Sequence, residues 1–172
     1  PIKPASDKGS PIIYLTDGNQ QFITMYAAAA RQRSMADSVI VGIGYPPTER
    51  NEFYRLRTRD FLFPVAENWW KSIPPQHRSY IGSDAGGAEQ FAKFIVGTLK
   101  PEIERCYRID HDRQMLFGHS LGGLFVLHLM FQQPEAFNLY CAASPSIWVN
   151  DRSILEEIPD FLNRLSETRD RR

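Results

Sequence analysis

The pentapeptide GHSLG at 118–122 restricts the possible folds more than any other feature of this sequence. It has the G-x-S-x-G spacing of a nucleophile elbow, with an apolar run (MLF, 115–117) before it and a second (LFVLHLMF, 124–131) after it. Such flanks predict a strand that turns sharply into a helix and lifts the Ser120 hydroxyl above a sheet. Gly118 and Gly122 remove the Cβ atoms that would collide at this turn. A glycine-rich turn without chemistry is the alternative, and the apolar flanks argue against it.

Strands and helices alternate along the rest of the chain. Apolar runs predict strands, and spaced apolar residues predict helices. The predicted strands are 11–16, 38–44, 115–117 and 137–143, and the predicted helices are 20–33, 86–107, 121–131 and 155–165. Strands that are apolar throughout are typical of a parallel sheet covered by helices on both faces. We therefore predict a single α/β domain of the α/β-hydrolase fold over residues 1–172, incomplete at its C-terminus.

The segment 46–85 is much longer than the usual connection between a strand and its following helix. It contains several arginines, including Arg57, and the pair Trp69-Trp70. Long loops at the carboxyl edge of a parallel sheet usually shape a binding site, so we predict a substrate-side loop with a small hairpin at 53–63. A surface excursion without a ligand is the alternative.

A serine hydroxyl needs a base, usually a histidine that a carboxylate orients. After Ser120 the only histidine is His128, which lies eight residues along the predicted helix. That is roughly 12 Å of helical rise, too far for contact. In this fold the acid and then the histidine follow the nucleophile. We therefore expect the acid, the histidine and two further strands to lie beyond Arg172.

The oxyanion of an acyl-transfer intermediate needs two backbone donors. One is predicted to be the N–H of Leu121, directly after the nucleophile. The other is predicted in the loop after the first strand, at Gly18 or Asn19. An ordinary turn at 17–19 is the alternative for that loop.

The charge balance excludes some partners. The chain has 20 basic and 20 acidic side chains, so no excess of positive charge is available to neutralise nucleic-acid phosphates. Its apolar runs are too short to span a bilayer. We predict a small-molecule ester as the partner, no nucleic acid, no membrane, and no metal or organic cofactor. The oligomeric state stays open, as does the compartment, with the cytoplasm favoured over the periplasm.

Six motifs resemble the putative-esterase family of α/β-hydrolases, which includes esterase D-like enzymes and ferric-siderophore esterases. They are YLTDGN at 14–19, VGIGYP at 41–46, RTRDFLFP at 57–64, GGAEQFAKFI at 86–95, LFGHSLGG at 116–123 and SPSIW at 144–148. The siderophore-esterase branch is the more similar one. The resemblance implies Ser120 as nucleophile, Arg57 as a residue that faces the substrate cleft, and Trp148 as a pocket wall.

These observations predict a serine ester hydrolase that acts through an acyl-enzyme, with siderophore-type catecholate esters as candidate substrates. Two alternatives stay open. One is a binding module that has the hydrolase fold without turnover, because no base follows Ser120 within reach. The other is a general carboxylesterase, or a thioesterase similar to S-formylglutathione hydrolase.

Overall fold

The computed structural model describes residues 7–46, 49–78 and 85–169, and of residues 76, 77, 168 and 169 the backbone alone. Within these ranges four parallel strands form one sheet in the order β2-β1-β3-β4. The strands are β1 (Ser10–Leu15), β2 (Val39–Gly42), β3 (Ile109–His119) and β4 (Leu139–Ala143). The predicted α/β fold with a parallel sheet is confirmed.

Helices lie on both sides of this sheet. They are α1 (Gly18–Ala30), α2 (Arg50–Phe61), α3 (Glu67–Ser72), α4 (Pro75–Arg78), α5 (Ala88–Phe94), α6 (Lys100–Cys106), α7 (Leu121–Gln132) and α8 (Ile158–Arg169). A π-helical turn, Ile95–Leu99, joins α5 to α6. Pro101 follows it in the first turn of α6. Pro101 has no N–H to donate, and a local change of hydrogen-bond pattern accommodates it.

The core explains why residues 12–15 of β1 and 115–117 of β3 are apolar. Tyr14 and Leu15 of β1 and Leu116 of β3 are completely buried, as are Leu124 and Phe125 of α7. Side chains on both faces of these two segments are apolar because helices cover both faces. Helix α7 is buried along most of its length, which accounts for its lack of a polar face.

The hairpin predicted at 53–63 is wrong, because α2 occupies most of that range. The buried residues of α2 include Arg57 and Phe61, which are four residues apart and therefore share one helix face. The Arg57 guanidinium lies 5.3 Å from the centre of the Phe61 ring. The buried face thus includes a charged residue, and the apolar pattern that identifies an amphipathic helix is weak here.

Among the described residues, no helix is both long enough and apolar enough to cross a membrane.

Candidate active site

The turn from β3 into α7 has the geometry of a nucleophile elbow. Ser120 lies between the two elements with φ 57° and ψ −117°, a conformation that costs a residue with a side chain roughly 1–3 kcal/mol. Three backbone hydrogen bonds hold it there. The Ser120 N–H donates to the Ala143 carbonyl (3.0 Å), and the Ser120 carbonyl accepts from the N–H groups of Leu124 (3.0 Å) and Ser146 (3.1 Å). The end of β4 therefore supports the strained serine.

The glycines around Ser120 are required by close backbone approach. A Cβ on Gly118 would collide with the carbonyl group of Gly122, and a Cβ on Gly122 would collide with the Thr16 hydroxyl. A Cβ on Gly123 would lie 3.1 Å from both the Ala143 carbonyl oxygen and the Pro145 Cα. These contacts bring the loop after β1 and the turn after β4 close to the nucleophile.

We expect Gly118→Ala to destabilise the full-length protein by about 3 kcal/mol, because the new methyl group meets backbone that cannot rotate away. Gly97→Ala is the matched control, since nothing lies within 4 Å of the Cβ position at that helical glycine. The control should be neutral, or more stable by up to about 1 kcal/mol. Urea unfolding of both variants tests this, and equal midpoints for the two would contradict it.

The two candidate donors in the loop after β1 differ in availability. The Gly18 N–H donates to the Ile43 carbonyl (2.8 Å), so it is already engaged. The N–H groups of Asn19 and Leu121 lie in the first turns of α1 and α7, where a helix provides no acceptor. Of the two loop candidates we therefore retain Asn19 and set Gly18 aside.

The Asn19 side chain fixes the neighbouring loop after β2. Its amide nitrogen donates to the Tyr45 carbonyl (2.8 Å), and its amide oxygen accepts from the Tyr45 N–H (2.7 Å). Burial, followed by the charge of Asp60, raises the pKa of the Tyr45 phenol above its ordinary value. Tyr45 is therefore a neutral side chain beside Asn19 at neutral pH.

Arg57 makes a paired ionic contact with Asp17. Its Nε and Nη2 atoms lie 2.6 Å and 2.9 Å from the two carboxylate oxygens, and the residues are 9% and 1% exposed, respectively. Asp17 has φ 55° and directly precedes α1, so Arg57 holds the N-terminus of the helix whose first turn contains Asn19. Asp60, the other conceivable partner of Arg57, binds Arg59 instead (2.7 Å).

Trp148 lies two residues beyond Ser146, on the turn that supports the nucleophile, and is 57% exposed. Its ring centre is 6.4 Å from that of Trp69, which is 6% exposed and belongs to α3. The Asn150 side-chain oxygen also accepts a hydrogen bond from the Ala66 N–H, directly before α3 (2.9 Å). Part of the segment 46–85 is therefore attached beside Ser120.

The profile of the family described as "Putative esterase" matches residues 1–168. The chain belongs to this family. Two curated proteins of similar sequence are siderophore esterases by name. The ferri-bacillibactin esterase BesA of Bacillus subtilis is 43% identical over 169 residues, which are 95% of this chain and 57% of that protein. The siderophore enterobactin esterase of Emericella nidulans is 40% identical over 172 residues, covering 92% of this chain and 54% of that protein.

Solved structures of related proteins resemble this esterase-family chain over most of its length. The BES protein from Bacillus cereus superimposes with a TM-score of 0.81 at 38% identity, over 96% of this chain and 61% of that one. The enterobactin and salmochelin hydrolase IroE superimposes with a TM-score of 0.67 at 30% identity, over 91% of this chain and 57% of that one. The chain thus spans little more than half the length of the curated relatives it matches.

No histidine side chain in the described part of the chain, which omits that of His77, bonds to the Ser120 hydroxyl. His128 binds Glu157 through Nδ1 (2.8 Å). His111 lies near the start of β3, roughly 30 Å from Ser120 at 3.3 Å per residue. The expectation that an acid and a histidine lie beyond Arg172 stays a prediction.

The sequence analysis missed two polar residues close to the elbow. The Ser146 hydroxyl is 3.1 Å from the Ser120 hydroxyl, and buried Asp17 binds Arg57. Both residues follow strands that flank β3, so parallel pairing was a signal that could have identified them. The motif SPSIW contains Ser146, but only its tryptophan was assigned a role.

Proposed function

We propose that this chain provides the nucleophile of an enzyme that hydrolyses carboxylic esters through an acyl-enzyme on Ser120. The observation that carries the proposal is the strained conformation of Ser120 between β3 and α7. A tight turn without chemistry has no need for a residue with a side chain at φ 57° and ψ −117°, outside the left-handed helical region, where glycine would fit at lower cost. A serine retained there places its hydroxyl above the edge of the sheet.

The proposed reaction has two halves. Ser120 Oγ attacks the ester carbonyl carbon while a histidine beyond Arg172 accepts the hydroxyl proton. The N–H groups of Leu121 and Asn19 bind the resulting oxyanion, which the partial positive charges of two helix N-termini also favour. The proton then passes to the leaving alcohol and the acyl-enzyme remains. Water attacks it by the same route and restores Ser120. The proposed chemistry uses no metal or organic cofactor.

The proposed substrate is a siderophore-type ester with aromatic acyl groups. Its support is the names of the relatives, together with the exposed indole of Trp148, two residues after Ser146, whose backbone and hydroxyl contact Ser120. An aromatic face of this kind suits a catechol ring, since offset ring pairs contribute about 0.5–1.5 kcal/mol beyond area burial. Arg57 could add a charged contact to the same acyl group, although two of its nitrogens already bind Asp17.

We expect the full-length protein to hydrolyse enterobactin with a kcat/KM at least ~100-fold above that for p-nitrophenyl acetate, because only the larger ester gains remote binding energy. Trp148→Ala should then lower kcat/KM for enterobactin by about three- to tenfold and leave that for p-nitrophenyl acetate unchanged. Initial rates at varied substrate concentration measure both effects. Ile147→Ala is the control, because Ile147 is the exposed neighbour of Trp148.

S-Formylglutathione is the third substrate to be compared. Turnover of S-formylglutathione above that of enterobactin would favour the thioesterase alternative. Tight binding of enterobactin by the full-length protein without any turnover would favour the binding module and refute the proposed hydrolase.

A further inference from the structure

Ser146 presents a buried hydroxyl to the nucleophile. Its Oγ lies 3.1 Å from the Ser120 Oγ, and the residue is only 6% exposed. Burying a hydroxyl costs free energy unless it forms a hydrogen bond. Within the described residues this hydroxyl forms a hydrogen bond with Ser120 Oγ, so Ser146 points at the atom that the proposed reaction uses.

The backbone around Ser146 fixes this contact. Ser144 has φ 43°, in the left-handed region, and this turns the chain back toward the elbow directly after β4. The absence of a Cβ at Gly123 lets Pro145 approach α7. The Ser146 N–H then donates to the Ser120 carbonyl (3.1 Å). Backbone and side chain of Ser146 therefore both contact the same residue, and strain at Ser144 is retained to achieve it.

We propose that the Ser146 hydroxyl donates its hydrogen bond to Ser120 Oγ and acts as a catalytic hydrogen-bond donor. This inference rests on the proposed ester hydrolase and adds a residue to it. The direction of donation follows from the single hydrogen that each hydroxyl carries. Ser120 has one hydroxyl hydrogen, which the base must remove. When Ser146 donates, that hydrogen is free to point toward the base on the open side of the elbow.

The hydrogen bond from Ser146 becomes stronger as negative charge develops on Ser120 Oγ. As the base removes the proton and the bond from Oγ to the carbonyl carbon forms, negative charge develops on Oγ. In deacylation that bond breaks, its electron pair returns to Oγ, and the base gives the proton back. Ser146 keeps its own proton in both halves. Hydrogen bonds to charged atoms are about twice as strong as those between neutral groups, so donation favours the transition states over the resting enzyme.

The test uses the full-length protein and its Ser146→Ala, Ser146→Thr and Ser166→Ala variants. The measurements are the second-order rate constant for labelling of Ser120 by a fluorophosphonate probe, kcat and KM for p-nitrophenyl acetate, and the melting temperature. We expect Ser146→Ala to slow labelling and lower kcat by about tenfold, with KM and melting temperature unchanged. Ser146→Thr, which keeps a hydroxyl, should recover most of the rate. Ser166→Ala, which removes an exposed hydroxyl from α8, should match wild type.

Several outcomes would overturn the donor role. If Ser146→Ala labels as fast as wild type, the hydroxyl contributes nothing, and if it labels faster, Ser146 was accepting the Ser120 proton and restraining it. Equal losses in the alanine and threonine variants, with lower melting temperatures, would make Ser146 a structural residue only. In each of these cases the probe still labels Ser120 in the wild-type protein, so the proposed hydrolase would stand. A wild-type protein that the probe does not label at Ser120 would instead refute the proposed function itself.

Discussion

Replacing Ser120 with alanine will lower kcat for p-nitrophenyl acetate in the full-length protein by about 10⁶-fold and abolish labelling by a fluorophosphonate probe. The acyl-enzyme cannot form without the hydroxyl, and only the oxyanion donors remain to assist direct attack by water. Initial rates and the intact mass after labelling measure the two effects. The melting temperature should fall only slightly, because the main loss is the hydrogen bond of the buried Ser146 hydroxyl to Ser120 Oγ.

The variant His128→Gln is the informative comparison. His128 binds Glu157, and it lies two turns along α7 from the nucleophile. If it has no part in the chemistry, the variant should keep wild-type kcat, although loss of the contact with Glu157 lowers its stability. A fall in kcat as large as that of Ser120→Ala would place the base within this chain. A full-length protein that is still labelled after Ser120→Ala would have another nucleophile.

The sheet and the elbow could be predicted because their signals are local. A short run of apolar residues between turns indicates a strand that is covered on both faces. At the elbow, collisions with Gly122 and Thr16 require glycine at both 118 and 122, so the physical constraint appears directly as a sequence pattern. The order of strands and helices then determines which edge of the sheet holds Ser120.

Helix α2 could not be predicted because its buried face contains Arg57, which looks like a solvent-exposed residue in any apolar pattern. The charge is buried only because Asp17, 40 residues earlier, provides two carboxylate oxygens. Ser146 was missed for a similar reason. It reaches Ser120, 26 residues away, through the pairing of β4 with β3 and the left-handed turn at Ser144. Such contacts depend on the assembled sheet and produce no recognisable pattern in the local sequence.

The paired contact between Arg57 and Asp17 leads to the second prediction. We expect Arg57→Met to destabilise the full-length protein by about 3–5 kcal/mol, because it leaves the Asp17 carboxylate buried without its partner. Adding Asp17→Asn removes the stranded charge and should recover part of that loss, a coupling that a double-mutant cycle measures. Arg105→Met is the control. Arg105 binds Glu102, and both side chains are more than half exposed, so its removal should change the free energy of unfolding very little.

The same pair should influence catalysis through the first turn of α1, where the proposed oxyanion donor Asn19 lies, and Arg57→Lys tests how. Lysine keeps the charge but cannot donate two parallel hydrogen bonds to Asp17, so the position of Asn19 should loosen. If Arg57 acts only by holding this loop, kcat/KM should fall by the same factor for an anionic ester and for a neutral ester of similar size. If its guanidinium also binds substrate, the anionic ester should lose much more. A variant with wild-type kcat/KM on both esters and an unchanged melting temperature would show that neither role applies.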